Sequence, residues 1–228
     1  MTTQQAARNN AEWCDLMCRA HGRPGVFGER AWTNAHRTPV LYPDAVTLSP
    51  EARAEDVLPY IDLGPDASVK DSFATLDLTG AGFRVLFEAQ WIHREPRPAP
   101  ADLRARTGTP LEWEVARDVR EWERACFPMW PEGGLFLPSV LDEAVLLCAR
   151  IDGEIACGSV LNASEEVVGV SNVFASACDI DAAWAGTLAL AADLFPGQAL
   201  VGYEGADELA APLAFGFTTT GPLRVWIR

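Results

Sequence analysis

Basic residues are scarce in this chain: 18 Lys and Arg stand against 32 Asp and Glu in 228 residues, a formal net charge of −14 with the three histidines neutral. No cluster of basic side chains interrupts that imbalance. This excludes a nucleic-acid surface and docking on anionic lipid, since both need a dense positive patch. Long apolar runs are lacking too. The longest stretch without a charged residue or histidine, Leu209 to Leu223, is too short to span a bilayer and is broken by Pro212 and Pro222. The first ten residues hold no apolar core of a secretory signal, so the sequence predicts a cytoplasmic protein whose six cysteines are reduced thiols. No C-x-x-C pair occurs, nor a G-x-x-x-x-G-K-[ST] phosphate loop, nor a G-x-S-x-G elbow, and Gly80-Ala81-Gly82 lacks the third glycine of a dinucleotide fingerprint. Cys14, Cys18 and His21 share one helical stripe, but a fourth metal ligand would have to come from a distant segment. The pattern favours thiols packed beside Trp13, Leu16 and Met17 over a zinc site.

What is present suits a globular chain, 49% apolar and long enough to bury a large core without disulfide or metal staples. Arg94 to Gly108 carries prolines at alternate positions and reads as a semi-rigid extended linker. The expected organisation is an N-terminal half over 1–95, a linker over 96–109 and a C-terminal domain over 110–228. In the first half the patterns predict a helix from Asn10 to His21 and a strand from Asp44 to Leu48. A helix follows to about Ile61, with Ser49 as its cap and Pro50 at its first position. A strand from Val69 to Ser72, a short helix from Phe73 to Ala81 and a strand from Phe83 to Ile92 complete the half.

The second half begins with a strand from Trp113 to Ala116 and a helix from Asp118 to Ala125. Strands over Ala144–Arg150 and Glu154–Asn162 meet at Asp152-Gly153, a pair that favours the type I′ hairpin turn. A third strand over Val167–Ala175 precedes a helix over Ala182–Leu194 with Asp181 as its N-cap. A strand over Ala199–Tyr203, a short helix over Asp207–Phe215 and a last strand ending in Trp226-Ile227 close the chain. The halves echo each other. Asp62-Leu63-Gly64-Pro65 before Ser68-Val69 matches Asp193-Leu194-Phe195-Pro196 before Ala199-Leu200, and Gly82-Phe83 precedes Trp91-Ile92 much as Gly216-Phe217 precedes Trp226-Ile227. Both read helix, D-L-x-P turn, strand, short helix, G-F, strand, W-I, which predicts an internal duplication.

Three meandering strands, a helix, a strand, a short helix and G-F before the last strand resemble the GNAT N-acetyltransferase superfamily. The likeness is carried most specifically by ARIDGEIACGSVLN with VVGVSNVFA (Ala149 to Ala175) and by LVGYE leading to AFGF (Leu200 to Phe217). The resemblance implies an α/β fold: a GNAT-like mixed sheet with flanking helices, the acyl-CoA N-acyltransferase fold, here built of two related halves. It also implies acetyl-CoA as cofactor, with its pantetheine arm paired to the freed edge of the third strand at Asn172, Val173, Phe174 and Ala175. Ser176 and Trp184 then lie in the cofactor loop. The family holds the pyrophosphate with a Gln/Arg-x-x-Gly-x-Gly/Ala loop at a helix start, an anion site made of backbone amides. This chain departs from that pattern: Ser176 to Gly186 reads SACDIDAAWAG, with Asp179 and Asp181 where phosphates would arrive. It departs again at Pro212, where the family commonly has the tyrosine that reprotonates the leaving thiolate. Tyr203 is the nearest substitute, with Glu204 or Glu165 as candidate base. From Asp142 to Glu208 there are twelve acidic residues and one basic, Arg150, which suits a small cationic amine as acyl acceptor. The other function consistent with these departures is a catalytically silent GNAT-fold module that binds a ligand or a protein.

Overall fold

The computed structural model describes residues 3–97, 111–130 and 132–228. The proline-rich linker expected over 96–109 lies almost wholly outside them. Within the described residues no helix is long and apolar enough to cross a membrane. The chain divides into two compact units, one made of Met1–Ile92, Tyr203–Leu209 and Thr219–Arg228, the other of His93–Gly202 and Ala210–Thr218. The division therefore differs from a single break at the linker, because two short C-terminal segments fold with the N-terminal part.

The first unit is a mixed sheet with a helix on one face. Helix α1 (Thr3–Ala20) is followed by β1 (Val26–Phe27), β2 (Ala31–Thr33), β3 (Ala45–Thr47), β4 (Ser68–Asp71) and β5 (Arg84–Arg94). The last strand of the chain, β11 (Thr218–Ile227), runs between β4 and β5, giving the order β1-β2-β3-β4-β11-β5. β1, β2 and β3 form an antiparallel meander, β3 and β4 are parallel, and β4 and β11 are antiparallel with Val69 opposite Trp226. Ala11, Cys14 and Cys18 of α1 bury against Trp32 and Val46, while Val57, Ile61, Leu78 and Phe83 cover the other face at Val69 and Trp226. Buried carboxylates connect the loops. Asp15 accepts from the Trp32 indole and the Gly25 amide, and Asp44 accepts from the amides of Thr38 and Ser68 and from Arg37. Part of the acidity of this chain is thus internal, held by the hydrogen bonds a buried carboxylate requires.

Three expectations for this unit are corrected. α1 starts at Thr3, two turns earlier than its apolar pattern suggests, because the buried positions of those turns are Ala6, Ala7 and Asn9. The segment after Ser49 is a turn and two 3-10 pieces, Ala54–Asp56 and Leu58–Tyr60, not an α-helix. Pro59 explains the break, since it lacks the amide a helix interior needs and its ring crowds the preceding turn. Phe73 to Ala81 holds only a 3-10 turn at Thr79–Ala81, because Asp71 draws the amide of Leu76 onto its carboxylate.

The second unit has the order β10-β9-β8-β7-β6, made of β6 (Glu112–Val115), β7 (Val145–Ile151), β8 (Glu154–Ala163), β9 (Val167–Ala175) and β10 (Ala199–Glu204), the last two residues of β10 being counted with the first unit. β6 to β9 are antiparallel neighbours, and β9 and β10 run parallel. Asp152 (φ 52°) and Gly153 (φ 87°) are both left-handed, the backbone of the I′ turn the dipeptide predicts. Helices α2 (Val119–Cys126), α3 (Ile180–Leu194) and α4 (Ala210–Ala214) flank this sheet. Trp122 of α2 is fully buried and donates its indole N–H to Leu147 C=O; Ser159 of β8 and Thr187 of α3 share a buried hydrogen bond. At Gly186 an added Cβ would lie 1.9 Å from the Trp113 ring, so glycine lets that indole lie on α3. Gly82 (φ 82°) and Gly216 (φ 85°) end the two short turns before their G-F strands, and in both the phenylalanine amide bonds the carbonyl five residues back.

Candidate functional site

β9 is where the second unit departs from an ordinary sheet. Its pairing with β10 covers Val167–Gly169 against Ala199–Val201, and among the described residues its ladder to β10 goes no further. Yet β9 runs on to Ala175, still paired with β8 on its other side. The edge facing away from β8 over Val170–Ala175 is therefore free main chain. The β8–β9 register also shifts between Gly158 and Val160, so β9 carries a bulge opposite Ser159. Asn172 sits in that bulge at φ 50°, a left-handed conformation asparagine tolerates better than most residues. Its side-chain oxygen accepts from Ser171 Oγ at 3.1 Å.

Side chains on both faces anchor this run. Val173 and Ala175 pack on the buried cluster of Ala149, Cys157 and Ala183. The Phe174 ring stands edge-on to Trp122, 5.5 Å between centroids. Gly158 makes room for it: a Cβ there would lie 2.4 Å from Leu147 C=O and 2.8 Å from the Phe174 ring. Main chain anchored by its side chains, with one row of N–H and C=O groups free, is a template for an extended amide-bearing ligand.

After β9 the chain is pinned back onto β8. The amides of Ser176 and Ala177 and the Ser176 hydroxyl all donate to Ala156 C=O. The N-cap of α3 is Asp179, not Asp181, and the Asp179 side chain accepts no capping hydrogen bond. Asp181 stands in the first turn. The expectation of Asp181 as the cap is thus corrected, although two acids still flank the helix start. Burial raises the Cys178 thiol, and raises the Cys157 thiol further. Cys14 and Cys18, in the α1 core, are raised to about 11 and about 12 by the same loss of water, so they are protonated packing residues.

The remaining candidates are separated by the fold. Trp184 is 2% exposed, its ring edge-on to Phe217 at 5.3 Å, so it is a core residue and offers no cofactor surface. Glu165 lies in the turn that starts β9; eight residues of strand, about 26 Å at ~3.3 Å each, separate that turn from Ala175. It is corrected as a candidate base on this distance. Tyr203 and Glu204 are the last residues of β10. The Tyr203 ring stands edge-on to Trp91 at 5.6 Å, with Lys70 Nζ 4.1 Å above its face. Burial, and then the like charge of Glu208, push the Glu204 carboxyl up to about 7. Pro212 is buried in α4, its carbonyl spent on the amides of Phe215 and Phe217.

Two features escaped the sequence reading. The bulge at Asn172 has no single-sequence signature. Lys70 had one, since it is the only lysine in the chain, and a solitary lysine at a buried strand position asks for an explanation.

No protein-family model matches the chain, and no curated protein does. Solved structures do. A GCN5-related N-acetyltransferase from Kribbella flavida is similar over 97% of this chain and 95% of its own, with a TM-score of 0.61 and 15% identity. A GCN5-related N-acetyltransferase-like protein from Streptococcus suis is similar over 99% and 98%, with a TM-score of 0.58 and 13% identity. The likeness runs through the first unit as well as the second, further than the sequence motifs reach. The chain has the GNAT fold, a mixed sheet with flanking helices.

Proposed function

We propose that this chain is an N-acyltransferase that binds acetyl-CoA along the free edge of β9 and transfers the acyl group to a small cationic amine. The observation that carries this reading is the parting of β9 from β10 after Gly169, with the bulge at Asn172 on the edge so released. The residues present fit the cofactor's amide-bearing arm well: Val170 to Ala175 offer free main-chain donors and acceptors on either side of the bulge at Asn172. They fit its phosphates less well, since Asp179 and Asp181 flank the helix start.

When bound, acetyl-CoA supplies a thioester whose acyl carbon forms the new C–N bond as the C–S bond breaks. Glu204, raised to about 7, has the acidity to take the proton that the attacking amine must lose, directly or through one water. Tyr203, the only hydroxyl-bearing side chain on β10, is the group to return a proton to the departing thiolate. The net charge of −14 favours a cationic acceptor by raising its local concentration. The matched D-L-x-P turns and the left-handed Gly82 and Gly216 support reading the N-terminal and C-terminal halves of the chain as copies of one plan.

The test is binding, followed by turnover. Acetyl-CoA is expected to raise the melting temperature, as a ligand specific to the folded state must, and Ala175→Glu is expected to abolish that rise. Glu204→Gln is expected to keep binding while lowering turnover by about 100-fold. Absence of any shift with acetyl-CoA overturns the proposal; a shift without turnover on a polyamine panel leaves a binding module instead.

A further inference from the structure

The first unit contains a cavity of about 550 Å³, of whose lining the acyl-transfer reading uses only Tyr203. Its size lies within the range that takes a small organic molecule. Its lining is mostly apolar, and four of its side chains are large hydrophobics left in water: Val40 is 51% exposed, Leu41 64%, Leu86 46% and Phe87 41%. Leu41 holds φ 71°, a left-handed backbone that leucine adopts only when its surroundings enforce it, as at sites where strain serves function.

Set in this apolar lining is the one lysine of the chain. Lys70 is 4% exposed. Its ammonium donates to Asn10 Oδ1 at 2.8 Å and lies over the Tyr203 ring, and among the described residues no carboxylate pairs with it. A buried ammonium with a neutral acceptor, a ring face and a third donor without a protein partner is incompletely compensated for its lost water. The other cation at the cavity, Arg37, is already committed, with one guanidinium nitrogen on Asp44 and another 3.6 Å from Asp62. Asp66, which also lines the cavity, opposes a ligand of high negative charge.

The geometry points to a binding site for a monocarboxylate with an alkyl or arylalkyl body. Its carboxylate accepts from Lys70 Nζ, and its body covers Val40, Leu41, Leu86 and Phe87. One vacant donor suits one carboxylate oxygen, whereas a phosphate dianion needs several donors and would meet Asp66. This site lies within the first unit and does not rest on the acyl-transfer proposal.

The solitary lysine makes the test direct. Protein labelled with ¹⁵N-lysine gives a single side-chain ammonium signal, and titration with octanoate or 3-phenylpropanoate is expected to shift it. Octan-1-ol and octylammonium serve as length-matched controls, and calorimetry is expected to rank the carboxylates at least about 10-fold tighter than either, the worth of one charge-assisted hydrogen bond. Leu86→Asp, at a water-facing position, is expected to weaken carboxylate binding by about 10-fold through apolar contact and repulsion. Lys70→Met is expected to remove the preference for carboxylate over alcohol. Equal binding of octanol and octanoate by the wild-type protein, or carboxylate binding that leaves the Lys70 signal unmoved, overturns the inference whether or not Lys70→Met folds.

Discussion

The two parallel strand junctions of this molecule, β3 with β4 in one unit and β9 with β10 in the other, begin alike and end differently. Both follow an antiparallel meander and both pair in register for two or three residues. At the first, β3 ends at Thr47, whose hydroxyl oxygen accepts from the Ser72 amide at 2.8 Å, so a side chain carries on the strand contact where the ladder stops. At the second, β9 continues for six residues past Gly169 with its edge free and a bulge in its middle. Opening a sheet is therefore a matter of what lies past the last ladder pair: a short strand with a polar side chain closes it, and a long, bulged strand held by its other neighbour leaves it open. Only the open junction offers main chain to a ligand.

The largest expected effect comes from unlocking the closed junction at its root. Asp44 precedes β3 and accepts from the Ser68 amide at the head of β4, from Thr38 and from Arg37. Asp44→Ala leaves those donors and the Arg37 charge without their acceptor, and about 4 kcal/mol of stability is expected to be lost, read by urea denaturation. A loss below about 1 kcal/mol would mean that β3 and β4 are held by their short ladder alone. At the open junction, Gly158→Ala places a Cβ against Leu147 C=O and Phe174, directly under the bulge. The expected loss is about 3 kcal/mol. Adding Phe174→Ala is expected to recover only part of it, because the backbone oxygen at 2.4 Å cannot be trimmed away.

The strands of both junctions are legible in the chain, β3 and β4 falling at Ala45–Thr47 and Ser68–Asp71 where strands over Asp44–Leu48 and Val69–Ser72 are expected, but what closes the first junction and opens the second is not. The bounds of β9 follow from the uninterrupted run VVGVSNVFA between turn residues, and the β7–β8 turn from Asp152-Gly153, because turn chemistry and β-branched density are local signals. The bulge at Asn172 is invisible in one sequence, since it depends on how β8 pairs across from it. β1 and β2 are two and three residues long, too short for any alternation to register, and they carry Trp32 into the core unannounced. The cap of α3 lies two residues before the expected Asp181 because Asp179 and Asp181 are equally good caps locally and tertiary packing decides between them. The positions of Trp184 and Glu165 are set by tertiary structure that a single sequence does not show. A helix turn sends the first into the core, and a strand's length carries the second away.

Titration sharpens the contrast, since the strand that partly pairs with β9 ends in an acid whose ionised form burial disfavours. Glu204 is raised to about 7 from an ordinary value of 4.5, by burial and by Glu208. Between those two values the folded chain holds a proton that the unfolded chain has released. Glu204 thus costs no stability below about pH 4.5, and its cost grows as pH rises to about 7 and then levels off. Glu204→Gln is expected to be more stable than the wild type by on the order of 2 kcal/mol at pH 8 and by little at pH 4.5. Turnover should show the opposite dependence, rising with pH through about 7 in the wild type and losing that limb in the variant. A stability difference that is flat from pH 4.5 to 8 would mean that Glu204 is solvated and ionises normally.

The smallest expected effect is the most specific to the comparison. Thr47→Val keeps the shape of a fully buried residue and removes only the oxygen that receives the Ser72 amide. Leaving that amide unpaired is expected to cost about 1.5 kcal/mol. Hydrogen exchange locates the change: the Ser72 amide should lose protection in Thr47→Val while Trp32 and Val46, deeper in the same sheet, keep theirs. In the same measurement the amides of β9 that face the open edge past Gly169 should exchange readily in the wild type and slow when acetyl-CoA is added, whereas Ser72 should not respond to it. If Ser72 keeps its protection without the Thr47 hydroxyl, the first junction is closed by packing and not by that one oxygen. The contrast between the two units would then rest on strand length alone.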